Sequence, residues 1–300
     1  MTLNVVPSDV SPKDRFLTVY GRKPVLEALA DRDLQVDKVV LAEGLRGRPI
    51  NEIKEAAADR AVRVQRASAH RVKVLAGNGR HDQGVLADVV APRMRPLVDA
   101  LDDPAAAPRS VLLLDGLTTP ANVGMVLRTA TAAGIDGIVV PHHGVAAIDP
   151  LVIKASAGIA FHAPVLRAGT AAEAAELLTE AGYPLYSLDA AAGTSLYAAD
   201  FGPRAAFVLG SETAGLSEAV EARVAERIAI PMRGGVESLN VASAAAVVTF
   251  ELLRREMARS SHASGHEIPV SHEHPELARD LAPPSPQPGR GSNHPVPPGN

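Results

Sequence analysis

The sequence predicts an α/β protein in which a small α/β unit precedes a larger domain built on an open parallel sheet. Three observations lead there. After residue 110, short apolar runs alternate with helical stretches, as in a parallel sheet covered on both faces. Before residue 92, shorter elements alternate among many basic side chains, and a stretch rich in Pro and Ala separates the two halves.

Taken in order, residues 1–16 form a polar arm, expected to be disordered, with no apolar segment of the kind a secretory signal needs. Residues 17–92 make the small unit. Gly21-Arg22-Lys23-Pro24 opens a helix through Ala30, and 36–41 reads as a strand. Residues 49–60 have helical character, 62–65 alternate as a strand does, and 85–90 form another apolar run. Arg22, Lys23, Arg46, Arg48, Arg63, Arg66, Arg71, Lys73 and Arg80 recur through the unit, fitting either a solvated charged face or a polyanion-binding surface. Residues 93–109, with Pro96, Pro104 and Pro108, read as a linker. In the domain that follows, 110–258, the strands are expected at 111–114, 137–140, 184–188, 206–209 and 227–230, with helices at 123–133 and 171–181. A last helix is expected from Ser238 to about Met257. Residues 259–300 shift to Ser, His, Gly and Pro and are expected to be a disordered tail, whose His262, His266, His272 and His274 read as solvated rather than as metal ligands.

Composition narrows the chemistry. The chain has 300 residues, 46% of them apolar and only 3% aromatic, so its cores must be built from Ala, Val, Leu and Ile. The absence of cysteine removes disulfides, thiolate metal sites and a cysteine nucleophile. A net charge of −4 argues against indiscriminate coating of nucleic acid, so any RNA contact needs local basic surface. No run is long enough to span a bilayer, and a cytoplasmic protein without membrane partners is expected. Neither G-x-G-x-x-G after the first strand of the large domain nor a P-loop occurs, which disfavours a standard dinucleotide or NTP site.

Three segments carry chemistry. In Leu114 to Ala130 a strand ends, Thr119-Pro120 supplies an N-cap and first helical residue, and Asn122 falls in the first turn, among free backbone N–H groups. Arg128, nearly two turns on, lies about a third of a rotation away and can share a pocket with Asn122 only through its long side chain. Alone, the segment equally describes a capped βα unit. In Val208 to Ser217, Gly210 and Gly215 follow a buried strand and allow close approach of backbone to a ligand, with Glu212 beside the opening. An ordinary turn fits that segment too. In the third, Ile230-Pro231-Met232 precedes Ser238-Leu239-Asn240-Val241; Ser238 reads as the N-cap of a buried Ala-rich helix, which leaves Asn240 without a purpose.

Together, in this order, the three segments resemble the SpoU (TrmH) family of the SPOUT methyltransferases. Asn122, Gly124, Arg128, Thr129 and Ala130 match N-x-G-x-x-x-R-[ST]-A; Gly210, Glu212 and Gly215 match G-x-E-x-x-G; Ile230 to Met232 and Ser238 to Val241 match I-P-M and S-L-N-V. Residues 19–29 and 81–87 resemble the opening and close of the L30e-like RNA-binding module found in large-subunit rRNA members. The resemblance implies a deep trefoil knot in an open parallel sheet, an exception to unknotted connections. It implies S-adenosyl-L-methionine (AdoMet) held around Leu209, Gly210, Ile230, Met232 and Leu239, no metal, and a site completed across a homodimer. It also implies RNA contacts at Arg22, Lys23 and Arg80.

The activity implied is methyl transfer to a ribose 2′-hydroxyl of RNA, with 23S rRNA the expected target. In the family's assignment, Arg128 contacts the RNA phosphate or ribose and accepts the hydroxyl proton, while Asn122, Glu212, Ser238 and Asn240 orient the substrate. A guanidinium is normally always protonated, so its presence in the site is the firmer expectation. Thr119 stands where many relatives carry an acid and Ala242 where Ser is usual, departures that bear on target choice. A tRNA methyltransferase, an antibiotic-resistance rRNA methylase and a noncatalytic ribosome-assembly protein are the alternatives. The last would predict loss of the pocket's polar residues, all of which are present.

Overall fold

The computed structural model describes residues 14–76 and 82–264. The chain up to Glu256 is one compact unit; a second starts at Met257, of which the helical stretch to Ser264 is described. In the first sheet, β1 (Phe16–Tyr20), β2 (Val36–Ala42), β3 (Arg63–Ala67) and β4 (Val85–Val90) lie in the order β1-β4-β2-β3. β4 runs antiparallel to β1 and β2, and β3 is parallel to β2. Helices α1 (Arg22–Ala30), α2 (Arg48–Asp59) and α3 (Ala69–Ala76) connect them. In α2 the buried residues are Ile50, Ile53 and Ala57, an i, i+3, i+7 stripe that faces the core while charged residues face solvent.

The second sheet has eight strands, all pairings parallel: β5 (Arg95–Pro96), β6 (Ser110–Leu114), β7 (Gly137–Val139), β8 (Val165–Arg167), β9 (Leu185–Leu188), β10 (Thr194–Ser195), β11 (Ala205–Leu209) and β12 (Val224–Ala229). Their order is β10-β12-β9-β11-β6-β7-β8-β5. Central β11 is buried at every position, which is why it reads as an unbroken apolar run instead of alternating. Around the sheet lie α4 (Leu97–Leu101), α5 (Pro120–Ala132), α6 (Pro150–Ala155), α7 (Ala171–Glu180), α8 (Glu218–Glu221) and α9 (Val241–Ser264). One apolar cluster takes in α5, the start of α9 and the first sheet; another lies under α7. Among the described residues, no helix is long and apolar enough to cross a membrane.

Several expectations need correction. Residues 93–109 are more than a linker: β5 pairs with β8 at the edge of the large sheet, and α4 buries Leu97 and Ala100. Three prolines masked an element too short to show periodicity. The tail begins later than 259, because α9 continues to Ser264; the rest of it, like residues 1–13, lies outside the described residues. Within the supposed arm, Asp14 Oδ1 lies 3.0 Å from His142 Nε2, and Phe16 opens β1. Three of the nine aromatic residues form one cluster: Tyr186, Phe201 and Phe207 pack with ring centroids 4.9–5.4 Å apart.

Two contacts fix the helices that border the site. Gly124 of α5 faces α6 so closely that an added Cβ would come within 2.5 Å of Ala155 Cβ and 2.6 Å of Val152 O. On α9, the Glu251 side chain, 4% exposed, is held by Arg254 at 2.7 Å and Arg255 at 2.6 Å. Arg255 also donates to the carbonyls of Leu196 and Ala199, each at 2.6 Å, and stacks over Phe201. The helix thereby grips the segment just after β10.

Replacing Gly124 with Ala should destabilise the fold by about 1–3 kcal/mol through overpacking, measured by urea unfolding. The hydrogen bond from Arg254, joined by that from Arg255, outweighs burial and holds the Glu251 carboxyl below the usual carboxylate range. Its contribution is therefore full above the unfolded pKa of about 4.3 and is lost as pH falls through the lower folded value. Stability of the wild type should decline in that acid range more steeply than that of Glu251→Gln, measured by thermal melts against pH.

Candidate active site

The loops after β6 and β11 are tied together before any ligand is considered. Asp115, buried at the end of β6, accepts the Ser217 N–H at 2.7 Å through Oδ2, and its own N–H donates to Leu209 O. Ser211 and Gly215 exchange two backbone hydrogen bonds of 2.9 Å, folding the second loop back on itself. Gly215 has φ +69°, and a Cβ on Gly210 would lie 2.8 Å from Gly215 C and O. Both glycines of G-x-E-x-x-G thus have a steric reason.

Three loops then meet at one amide. Asn240 Nδ2 donates to Asn122 Oδ1 at 3.1 Å and to Glu212 Oε1 at 2.7 Å. Its Oδ1 accepts the Ala242 N–H at 2.9 Å, so the amide's orientation follows from its partners. Glu212 Oε1 also accepts the Val241 N–H at 3.2 Å, placing a carboxylate at the positive end of α9. Asn122, 7% exposed, is a buried polar group given a partner by this arrangement.

Ser238 is not the N-cap expected of it. The helix starts at Val241, and Asn240 caps it, because the Arg233 to Leu239 segment stays irregular. Exposed Ser238 instead lines a cleft of about 470 Å³, together with Leu209, Gly210, Glu212 and Leu239. A smaller lobe of about 140 Å³ adjoins it, lined by Leu188, Ile230, Met232, Leu239 and Ala244. Such volumes suit a small organic ligand. All five residues expected at a cofactor therefore sit on the two lobes. The smaller lobe has an apolar wall suited to a flat base, with Asp189 and Glu237 shared between the lobes, and Asp189, Glu212, Glu221 and Glu237 against Arg227 make the larger one acidic, complementary to a sulfonium. The residues present fit AdoMet.

Arg128 does not join the network. Its side chain is exposed on α5 and makes no hydrogen bond or ion pair among the described residues. In the first sheet's unit, Lys23 is exposed and lies 3.7 Å from Glu27, while the Arg22 N–H donates to Gln83 Oε1. Arg80 falls outside the described residues. Sequence reasoning missed Asp115 and Asp189; each directly follows a buried strand, and that position was the available signal.

Comparison with known proteins decides the family. Residues 109–250 match the model of the SpoU rRNA methylase family, and residues 18–95 match that for RNA 2′-O ribose methyltransferase substrate binding. The 23S rRNA (guanosine-2′-O-)-methyltransferase RlmB of Xanthomonas axonopodis pv. citri is 33% identical over 241 residues, covering 80% of this chain and 96% of the relative. The chain belongs to the SpoU family. It is, accordingly, an RNA 2′-O-ribose methyltransferase. A crystal structure of an RNA 2′-O ribose methyltransferase matches with TM-score 0.51 and 26% identity, covering 81% of this chain and 90% of that one. The SpoU methyltransferase AviRb of Streptomyces viridochromogenes, solved with its cofactor AdoMet, shares the fold at TM-score 0.54 and 24% identity, over 81% and 91% of the two chains.

Asn240→Asp keeps an acceptor for the α9 cap but loses both donations and sets a second carboxylate beside Glu212. Turnover should fall by roughly 10²-fold from misplacement of the site, and the lost partner of buried Asn122 should lower stability by about 1–3 kcal/mol. Radiolabelled methyl transfer to RNA, paired with thermal melts, checks both.

Proposed function

We propose that this SpoU enzyme methylates a ribose 2′-hydroxyl of 23S rRNA in the cytoplasm, with AdoMet in the two-lobed cleft beside Asn122, Glu212 and Asn240. The observation that carries this reading is the Asn240 amide, which joins all three family motifs and is bonded to Glu212, a residue lining that cleft. When bound, AdoMet supplies a methyl group on a sulfonium. The protein's part is to hold an oxygen in line with it and to move the proton from that oxygen. Asn122, Ser238 and Asn240 orient the ribose. Glu212 Oε1 is committed to Asn240 and Val241, so Oε2 is the atom we assign to receive the proton. Arg128, exposed and permanently charged, takes the RNA phosphate.

The rRNA target is supported by the name of the RlmB relative and by the basic first unit, whose Arg22 and Lys23 open α1. We place the functional divide as follows: residues 17–92 bind RNA as an L30e-like module, and residues 110–258 perform the transfer. A trefoil knot is supported by strand order, since β12 lies between β9 and β10 although it follows both in the chain. A homodimer is supported by α9, where Phe250 is 47% exposed beside half-buried Ala246 and Leu253 on one helical face.

Mass-spectrometric mapping of 2′-O-methyl groups in 23S rRNA and tRNA, from cells with and without the gene, tests the target. One ribose in 23S rRNA should lose its methyl group; equal methylation everywhere contradicts the proposal. For the site, Arg128→Ala should keep AdoMet affinity within about twofold by calorimetry, well below the tenfold that 1.4 kcal/mol would give, while turnover collapses.

A further inference from the structure

Two carboxylates outside the family motifs described above, Asp189 and Glu237, line both lobes of the cleft; Glu237 is exposed and makes no hydrogen bond among the described residues, whereas Asp189 is held in place. Asp189 follows Leu188, the last residue of β9, and lines the larger and the smaller cavity alike. Its Oδ1 accepts the Ala191 N–H at 2.9 Å. Its Oδ2 lies 3.5 Å from Arg227 Nη1, while Arg227 Nη2 is bonded to Glu221. The side chain is therefore held in place from two directions, yet it remains 35% exposed. Each carboxylate oxygen has a lone pair beyond the one so engaged.

Position and chemistry combine here. The smaller lobe combines an apolar wall of Leu188, Ile230, Met232, Leu239 and Ala244, which suits a flat base, with Asp189, Glu237 and Ser238, whereas the larger lobe contains Glu212, the partner of Asn240. A ligand occupying both must pass the junction at Asp189. In an adenosyl sulfonium, the group joining base to sulfur is a ribose with two vicinal hydroxyls, both donors that need acceptors once out of water. A purely structural account would make Asp189 the anchor of Arg227, but Glu221 already holds that guanidinium, and 3.5 Å is a loose contact. We propose that Asp189 is a specificity-determining residue that accepts hydrogen bonds from the vicinal 2′- and 3′-hydroxyls of the donor's adenosine. The inference rests on the placement of AdoMet in this cleft.

The test is a calorimetric binding cycle on the full chain, with S-adenosylhomocysteine and its 2′,3′-dideoxy counterpart as probes. Removing the hydroxyls should weaken binding to the wild type by about 10- to 100-fold, the range for hydrogen bonds to a charged group. The same removal should change affinity for Asp189→Ala by less than about twofold, because the acceptor is gone. Equal losses in the two proteins overturn the assignment. So does a result in which Asp189→Asn, which keeps the shape and the Ala191 contact, weakens AdoMet far more than S-adenosylhomocysteine, since the carboxylate would then act on the sulfonium charge. Leu239→Arg, on the exposed loop shared by both lobes, separates the two levels of the argument. It should abolish binding of both probes; unchanged binding would show that the donor sits elsewhere and would remove the basis of the Asp189 role.

Discussion

The side-chain amide of Asn240 is the interaction on which the site depends. Asn122 comes from α5, Glu212 from the loop after β11, and Asn240 from the start of α9, and its amide is the group that bonds to both of the others. Its three hydrogen bonds are compatible: the carbonyl caps the helix, and the amino group serves two acceptors. Remove the donor and a buried Asn oxygen loses its partner, a penalty of about 1–3 kcal/mol for an unsatisfied buried group. A carboxylate in the same network would then keep only one of its hydrogen bonds. The cleft's shape and the register of α9 thus share one cause.

The sheet supplies what an amide alone cannot, which is a rigid base. β6 and β11 are buried side by side, and the loops that leave their carboxyl ends are short and cross-linked by Asp115. Residues 111–114 of β6 and all of β11 are apolar and buried, so this interior positions the groups beyond the strand ends without taking part in their chemistry. The net charge of −4 hides a useful separation. Basic residues recur in the first unit, where a phosphate backbone would meet them, and the cleft is acidic, where a cationic donor would sit. One chain can therefore attract an anionic polymer and a cationic small molecule to different surfaces.

Much of this was legible in the amino-acid sequence, and the failures are physically instructive. Strands such as β6 and β11 announce themselves as apolar runs because both faces are covered, and the helical stretch expected at 171–181 is α7, whose start the structure fixes with a capping box of Thr170 and Glu173. Two-residue β5 and β10 cannot show a period at all; only pairing with β8 and β12 makes them strands. Ser238 looked like the cap because Ser is a common N-cap residue, but Asn240 is equally suited and also satisfies Asn122 and Glu212, so tertiary contacts decided between them. Arg128 matched a motif, and helical spacing already set it about a third of a rotation from Asn122; where its long side chain would end could not be read from that spacing. Asp189 was invisible as a motif because its meaning comes from two lobes that converge only in three dimensions.

The central claim is that the loops after β9, β11 and β12 converge on one methyl donor. Hydrogen–deuterium exchange of the full chain, followed by mass spectrometry with and without saturating AdoMet, addresses it directly. Protection should appear together in residues 187–191, 209–216 and 230–241, with the first sheet unchanged. Protection confined to the first sheet, or to one of those loops alone, would contradict the account.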